Sequence, residues 1–155
     1  MSVFFSRQCE YALQAVMYIA LKNDGEMTSI RELARTLEIP YHFLAKILQD
    51  LTHKGLLTSL KGSAGGYMLA MPKETITPFH IVDAIDGSAF LTSCLMGFPA
   101  CSEEHPCAVH NGWHQLRENL HSMLKSTSMY DMALSMKKPQ YLAEQLTNGK
   151  TTKIG

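Results

Sequence analysis

Apolar residues recur at helical spacing over three stretches in the first third of the chain. From Ser6, placed as an N-cap, to about Asn23, the residues Leu13, Val16, Met17, Ala20 and Leu21 repeat on one face, and Asp24 and Gly25 supply the stop. A shorter helix is predicted after Ser29, with Ile30, Leu33, Ala34 and Leu37 as its stripe and Ser29 and Glu32 spaced as a capping box. Pro40 restarts the chain into a third helix of about fourteen residues, closed by Gly55 as its C-terminal cap. In it Phe43, Leu44, Ile47, Leu48 and Leu51 face inward, and His42, Ala45, Lys46, Gln49, Asp50 and His53 face outward. The period then shortens to that of strands: Leu56–Leu60 and Tyr67–Leu69 flank the run Lys61-Gly62-Ser63-Ala64-Gly65-Gly66 and read as a hairpin. Helical spacing returns after Thr77 and Pro78, through Ile85, with Asp86 and Gly87 leading out. It returns again over Val109 to Ser126, where Trp113, Leu116, Leu120, Met123 and Leu124 form one stripe.

Two helices joined by a tight turn, the second with a polar outer face, form the helix-turn-helix arrangement that lays its second helix in a DNA major groove. A glycine-rich hairpin directly after it, with Lys61 at its base, can bring backbone amides close to phosphates and completes a winged-helix domain. The predicted fold class is therefore mostly α with a small β-hairpin wing, a winged helix-turn-helix domain plus a long dimerisation helix. The apolar stripe on that helix must be covered, either by its own domain or by the same helix of a second subunit together with each subunit's first helix. The expected organisation is residues 1–87 as the DNA-binding domain, 88–108 as a cysteine-rich loop, 109–136 as the dimerisation helix and a following helix, and 137–155 as a polar, fraying tail.

Composition narrows the class further. At 155 residues the chain can bury a real core, and 46% apolar against 18% charged residues suits a globular protein that hides apolar surface in a partner. Net charge is zero but uneven: residues 1–73 hold eight Lys and Arg against six acids, and residues 74–127 hold two against six. That makes the first part the better candidate for a phosphate backbone. The apolar run Ala15 to Leu21 is short and lacks a basic start, so neither a signal peptide nor a membrane span is expected and a cytoplasmic location is. In that compartment clustered cysteines point to metal more than to disulfides.

The candidate chemistry is concentrated in CLMGFPACSEEHPCAVH, from Cys94 to His110, where prolines and glycine preclude regular helix. Cys94, Cys101, Cys107 and His110 make a possible four-ligand set of soft and borderline donors. Six and then five residues separate the cysteines, unlike the close pairs of structural zinc sites; an iron-sulfur cluster fits this wide loop better, with zinc and an idle loop as alternatives. Cys9, alone on an amphipathic helix, reads as a packed small side chain, and His105 as an exposed spare imidazole. There is no nucleophile elbow, P-loop or dinucleotide fold, and four protein ligands leave a metal no open position, so neither an enzyme nor a small-molecule substrate is expected.

Several stretches together resemble the winged-helix iron-sulfur regulator family that includes IscR, NsrR and RirA. They are CEYALQAVMYIAL, IPYHFLAKILQDLTHKGLL, KGSAGGYML, ITPFHIVDAIDG and the cysteine loop ending CAVHNGW, and the resemblance spans about residues 3 to 135. It implies a homodimeric transcriptional regulator that pairs through its long helix and binds a palindromic DNA operator. The cluster would sit on Cys94, Cys101 and Cys107. Its fourth ligand would be His110, matching IscR's two-iron form, or Glu10 from the partner subunit, matching NsrR-like relatives. His110 shares the loop with the thiols, so it and a [2Fe-2S] cluster are favoured over a [4Fe-4S] form. Resemblance and pattern together assign DNA contact to Ser29, Pro40, Tyr41, His42, Phe43, Ala45, Lys46, Gln49, Lys61, Gly62, Ser63, Gly65 and Gly66. Two departures bear on site choice: Ala45 stands where IscR has a glutamate, and Lys61 where it has an arginine able to contact guanine through two bonds. The rival readings are a zinc-stabilised winged helix, a regulator whose thiols sense oxidants directly, and a winged helix used for protein contacts.

Overall fold

The computed structural model describes residues 4–135; the tail expected from residue 137 onward lies outside the described residues. Helices α1 (Arg7–Ala20), α2 (Ile30–Leu37) and α3 (Tyr41–His53) are followed by strands β1 (Leu57–Leu60) and β2 (Gly66–Leu69). Helix α4 (Pro78–Ile85), a single 3-10 turn at Ala89–Leu91, α5 (His110–Ser126) and α6 (Met129–Ser135) complete the described chain.

Helix α1 starts where Ser6 caps it, the serine Oγ accepting from the Cys9 N–H at 3.1 Å. The predicted stripe coincides with the buried face of α1 only in part, Val16 and Ala20 being buried and Leu13 and Met17 packing at the edge of the core. Cys9, Ala12, Ala15, Val16, Ile19 and Ala20 are buried, Leu13 and Met17 are half-buried, and Leu21 lies beyond the helix end, 37% exposed. The small alanines turn inward because α1 is packed on several sides at once, against α3, α4, α6 and β2. Close approach of several helices favours small side chains over bulk. The core joins that face to Leu33 of α2, Leu44, Ile47, Leu48 and Leu51 of α3, and Leu56, Leu57, Ile76, Ile81 and Met129.

Ser29 caps α2 through the Glu32 N–H at 3.1 Å, but the reciprocal half of the capping box is not made. The Glu32 carboxylate instead accepts from Tyr18 Oη at 2.5 Å and Lys22 Nζ at 2.6 Å, tying α2 to the end of α1. The turn into α3 is short because Glu38 takes the left-handed conformation, φ 55, and Pro40 opens the next helix. Phe43, expected in the core, is 37% exposed; its ring meets Tyr11 edge-on at 5.7 Å on the outer side of α1.

The hairpin is antiparallel with Leu57 opposite Leu69 and Leu60 opposite Gly66. A second ladder ties it to the segment before α2: Thr28 N–H donates to Tyr67 O at 2.9 Å, and Tyr67 N–H to Thr28 O at 2.8 Å. Gly66 permits this approach. It sits at φ +154, and a Cβ there would lie 2.4 Å from the Thr28 carbonyl oxygen. The wing is thus braced on the helix-turn-helix by close backbone contact.

The stripe expected on α5 divides. Leu124 is buried and Trp113 and Leu120 are half-buried, while Leu116 is 49% and Met123 61% exposed. Arg117, not part of the stripe, is buried.

Gly66→Ala should cost about 1–3 kcal/mol, since backbone must move to admit the methyl group. Urea denaturation measures this; an unchanged midpoint would mean that the wing is not held by the Thr28 contact.

Candidate functional site

The cysteine loop is anchored at its root before any thiol is reached. The Asp86 carboxylate accepts from the backbone N–H of Ser6 at 2.7 Å and from the Ser6 hydroxyl, and Phe90 in the 3-10 turn packs edge-on against Phe5 at 5.8 Å. The Ser93 carbonyl then accepts two bonds from α5, from Trp113 Nε1 at 2.8 Å and Arg117 Nη1 at 3.0 Å. These bonds fix the residue immediately before Cys94.

Each thiol lies at the end of a tight turn. Gly97 N–H bonds to Cys94 O, Cys101 N–H to Phe98 O, and His110 N–H to Cys107 O, so the chain folds back three times. As a result the Sγ atoms of Cys94, Cys101 and Cys107 all lie within 4.8 Å of one another. Cys94 and Cys107 are 3.8 Å apart, and His110 Nδ1 is 3.2 Å from Cys101 Sγ, on one edge of the group. All three thiols and His110 are half-buried, and they share a small cavity with Thr92, Trp113 and Arg117.

The thiols are not equivalent. Burial opposes ionisation of Cys94, but backbone N–H groups of Phe98 and Met96, with the neighbouring thiols, outweigh it and bring its pKa down to about 7. At Cys101 a backbone bond from Cys107 favours the thiolate, yet burial and the two neighbouring sulfurs together push its pKa up. One sulfur in the group ionises readily while another resists, as expected where like charges would otherwise crowd together.

The donor set suits a soft or borderline cation. Three thiols and an imidazole are the ligand types of both iron-sulfur clusters and zinc. Glu10 sits in the first turn of α1, where its carboxylate is 3.5 Å from Arg7 Nη1, and it is not among the convergent group. Cys9 is fully buried; burial, then Asp86 and Glu10, drive its pKa to about 12, which leaves it an inert packed thiol. His105 is exposed.

A second feature, sharing no lining residue with the cysteine cavity, lies on the winged domain. A broad concave surface runs between α3, the start of α2 and the hairpin, and it is lined by Ser29, Tyr41, His42, Ala45, Lys46, Gln49, Lys61, Gly62, Ser63, Gly65 and Gly66. Pro40, at the N-cap of α3, is exposed beside it, and Phe43 turns away toward Tyr11. Arg31, Thr52, His53, Ser59 and Tyr67 also line it. Of these, Arg31 could have been found in the sequence, as a cation in the first turn of the helix that crosses the DNA backbone in this arrangement. Among the described residues no carboxylate lines the concavity, which carries Arg31, Lys46 and Lys61. Asp50, one turn along α3, is 3.5 Å from Lys46 Nζ.

Residues 5–134 match the Rrf2 family, described as iron-dependent transcriptional regulators. A protein of Aquifex aeolicus named as an HTH-type transcriptional regulator is 33% identical over 132 residues, 84% of this chain and 91% of that one. A Haemophilus influenzae protein of similar name is 30% identical over 122 residues, 79% of this chain and 81% of its own length. The regulator IscR of Yersinia pestis is 25% identical over 122 residues, 79% of this chain and 74% of IscR. Among solved structures, CymR, the global cysteine regulator of B. subtilis, superposes with a TM-score of 0.74 at 24% identity, covering 88% of this chain and all of CymR. T. potens IscR does so with a TM-score of 0.71 at 21% identity, covering 90% of this chain and 93% of that one. With the family matched across nearly the whole described chain and its winged-helix fold present, the protein belongs to the Rrf2 family of DNA-binding transcriptional regulators.

Proposed function

We propose that the protein is a homodimeric regulator whose operator binding is controlled by an iron-sulfur cluster held by Cys94, Cys101, Cys107 and His110. The observation that carries this reading is the convergence of three cysteine sulfurs within 4.8 Å on one loop. His110 Nδ1 stands 3.2 Å from Cys101 Sγ and so adds an imidazole from the same chain to the three sulfurs; a [2Fe-2S] cluster is favoured because this fourth donor needs no partner subunit.

When bound, the cluster supplies a redox- and ligand-sensitive metal centre. The chain's own residues supply the rest. His110 opens α5, Trp113 and Arg117 hold the Ser93 carbonyl, and Ser6 and Phe5 tie the root of the loop to the start of α1. Order in the loop is thereby linked to α1, which packs against α3. The exposed apolar side chains of α5, Leu116 and Met123, suit burial against a second copy. A dimer would place two α3 helices at a fixed separation for a palindromic site, with α3 in the major groove, Gln49 and His42 toward base edges, and Arg31, Lys46 and Lys61 toward phosphates.

A second reading has a specific observation in its favour. The three sulfurs are also close enough together to surround one zinc ion, and the Cys94 and Cys107 sulfurs approach closely enough that oxidation could join them with small movements. Iron and acid-labile sulfide in the anaerobically purified protein separate these cases from a colourless zinc protein or a thiol pair.

Cys101→Ala should abolish the visible chromophore and the bound sulfide of the anaerobic protein; full retention of both would remove Cys101 from the ligand set. His110→Ala should likewise lose the cluster and Glu10→Ala keep it, the reverse pattern assigning the fourth position to the partner's carboxylate. Lys46→Ala should weaken operator binding and reduce the slope of log affinity against log salt by about one. An unaltered slope would place Lys46 away from phosphate.

A further inference from the structure

Arg117 is buried, with 7% of its surface exposed, and it is the buried charged side chain among the described residues. Its Nη1 donates to the Ser93 carbonyl, a neutral acceptor that already receives the Trp113 indole. Its guanidinium carbon lies 5.9 Å from the Trp113 ring centroid, a neutral face; its Nε is buried with no hydrogen-bond partner, and none of the ion pairs among the described residues includes it. A guanidinium cannot shed its proton to escape such a site, and a buried cation is costly to keep unless an anion faces it.

The surroundings identify that anion. His110, Trp113 and Arg117 lie on one face of α5 at helical spacing, and all three wall the cavity that contains the three cysteine sulfurs. No carboxylate lines that cavity among the described residues. The negative charge available to Arg117 is therefore whatever the thiols carry or hold.

The geometry points to Arg117 as the counter-charge of the sulfur-ligated cofactor, a positioning residue that raises its reduction potential without ligating it. This rests on the iron-sulfur reading above. With three thiolates, two sulfides, two ferric ions and a neutral imidazole, the site carries one net negative charge. One electron from a donor such as dithionite turns one iron ferrous and makes the charge two. A fixed cation beside the cage stabilises the more negative form, so the reduction equilibrium shifts toward it.

The test is an optical redox titration of the full-length anaerobic protein at one pH, comparing wild type with Arg117→Gln, Arg117→Lys and Trp113→Phe. Arg117→Gln should make reduction at least about tenfold less favourable, about 59 mV for a one-electron couple. Arg117→Lys keeps the charge and should stay near wild type, whereas Trp113→Phe removes the other bond to the Ser93 carbonyl and reports the shift caused by loosening the loop alone, which should be smaller than that of Arg117→Gln. Equal shifts in the Lys and Gln variants, or none in the Gln variant, would overturn the proposal. If the Gln variant cannot hold the cluster, retention by the Lys and Phe variants supports a need for charge. Loss in the Phe variant as well would trace the defect to the Ser93 carbonyl and overturn the proposal. Wild-type protein without iron or sulfide would overturn both this proposal and the iron-sulfur reading, whereas a normal cluster with an indifferent Arg117 overturns the proposal alone.

Discussion

Holding three cysteine sulfurs within 4.8 Å of one another constrains everything around them. Thiolates at that distance repel, so the group can be fully ionised when a cation lies among them, and without one it shares protons unequally. The contrast between Cys94, lowered to about 7, and Cys101, raised, reflects that frustration. The protein enforces the proximity with backbone: three tight turns in the loop, and two bonds from α5 to the Ser93 carbonyl.

Under the proposed function the loop must be coupled to the concave surface beside α3, and the packing of α1 joins the two regions. Its amino end is tied to the loop's root through Ser6 with Asp86 and Phe5 with Phe90. Its alanine face allows close contact with α3 and α4, and β2 packs against it as well. The wing is fixed to the rest, because Thr28 and Tyr67 pair by backbone bonds beside Gly66, which leaves no room for a side chain.

Much of this was legible in the sequence. Capping residues Ser6 and Ser29, the proline before α3 and the glycine-rich tip gave the winged helix, and cysteine spacing gave the loop. Errors arose where tertiary contact outweighed local pattern. On α1 the stripe of Leu13, Val16, Met17, Ala20 and Leu21 marks only one side of the buried face, because the crowded centre also takes in Ala12 and Ala15, while Leu21 falls past the helix end. Phe43 fitted the helical stripe but lies where Tyr11 can cover only part of it. Glu32 had the spacing of a capping box, yet Lys22 and Tyr18 offered its carboxylate stronger partners. Arg117 was invisible because a charged residue in an amphipathic helix reads as solvated, and burial beside the thiols is a property of the folded loop.

The claim that metal occupancy of the loop sets DNA affinity can be measured directly. One anaerobic sample would be assayed for its absorption spectrum and its operator affinity, before and after an iron chelator strips it. The account predicts that chromophore and affinity change together, while the fold, followed by circular dichroism, persists. Operator affinity that stays constant as the chromophore disappears would contradict it.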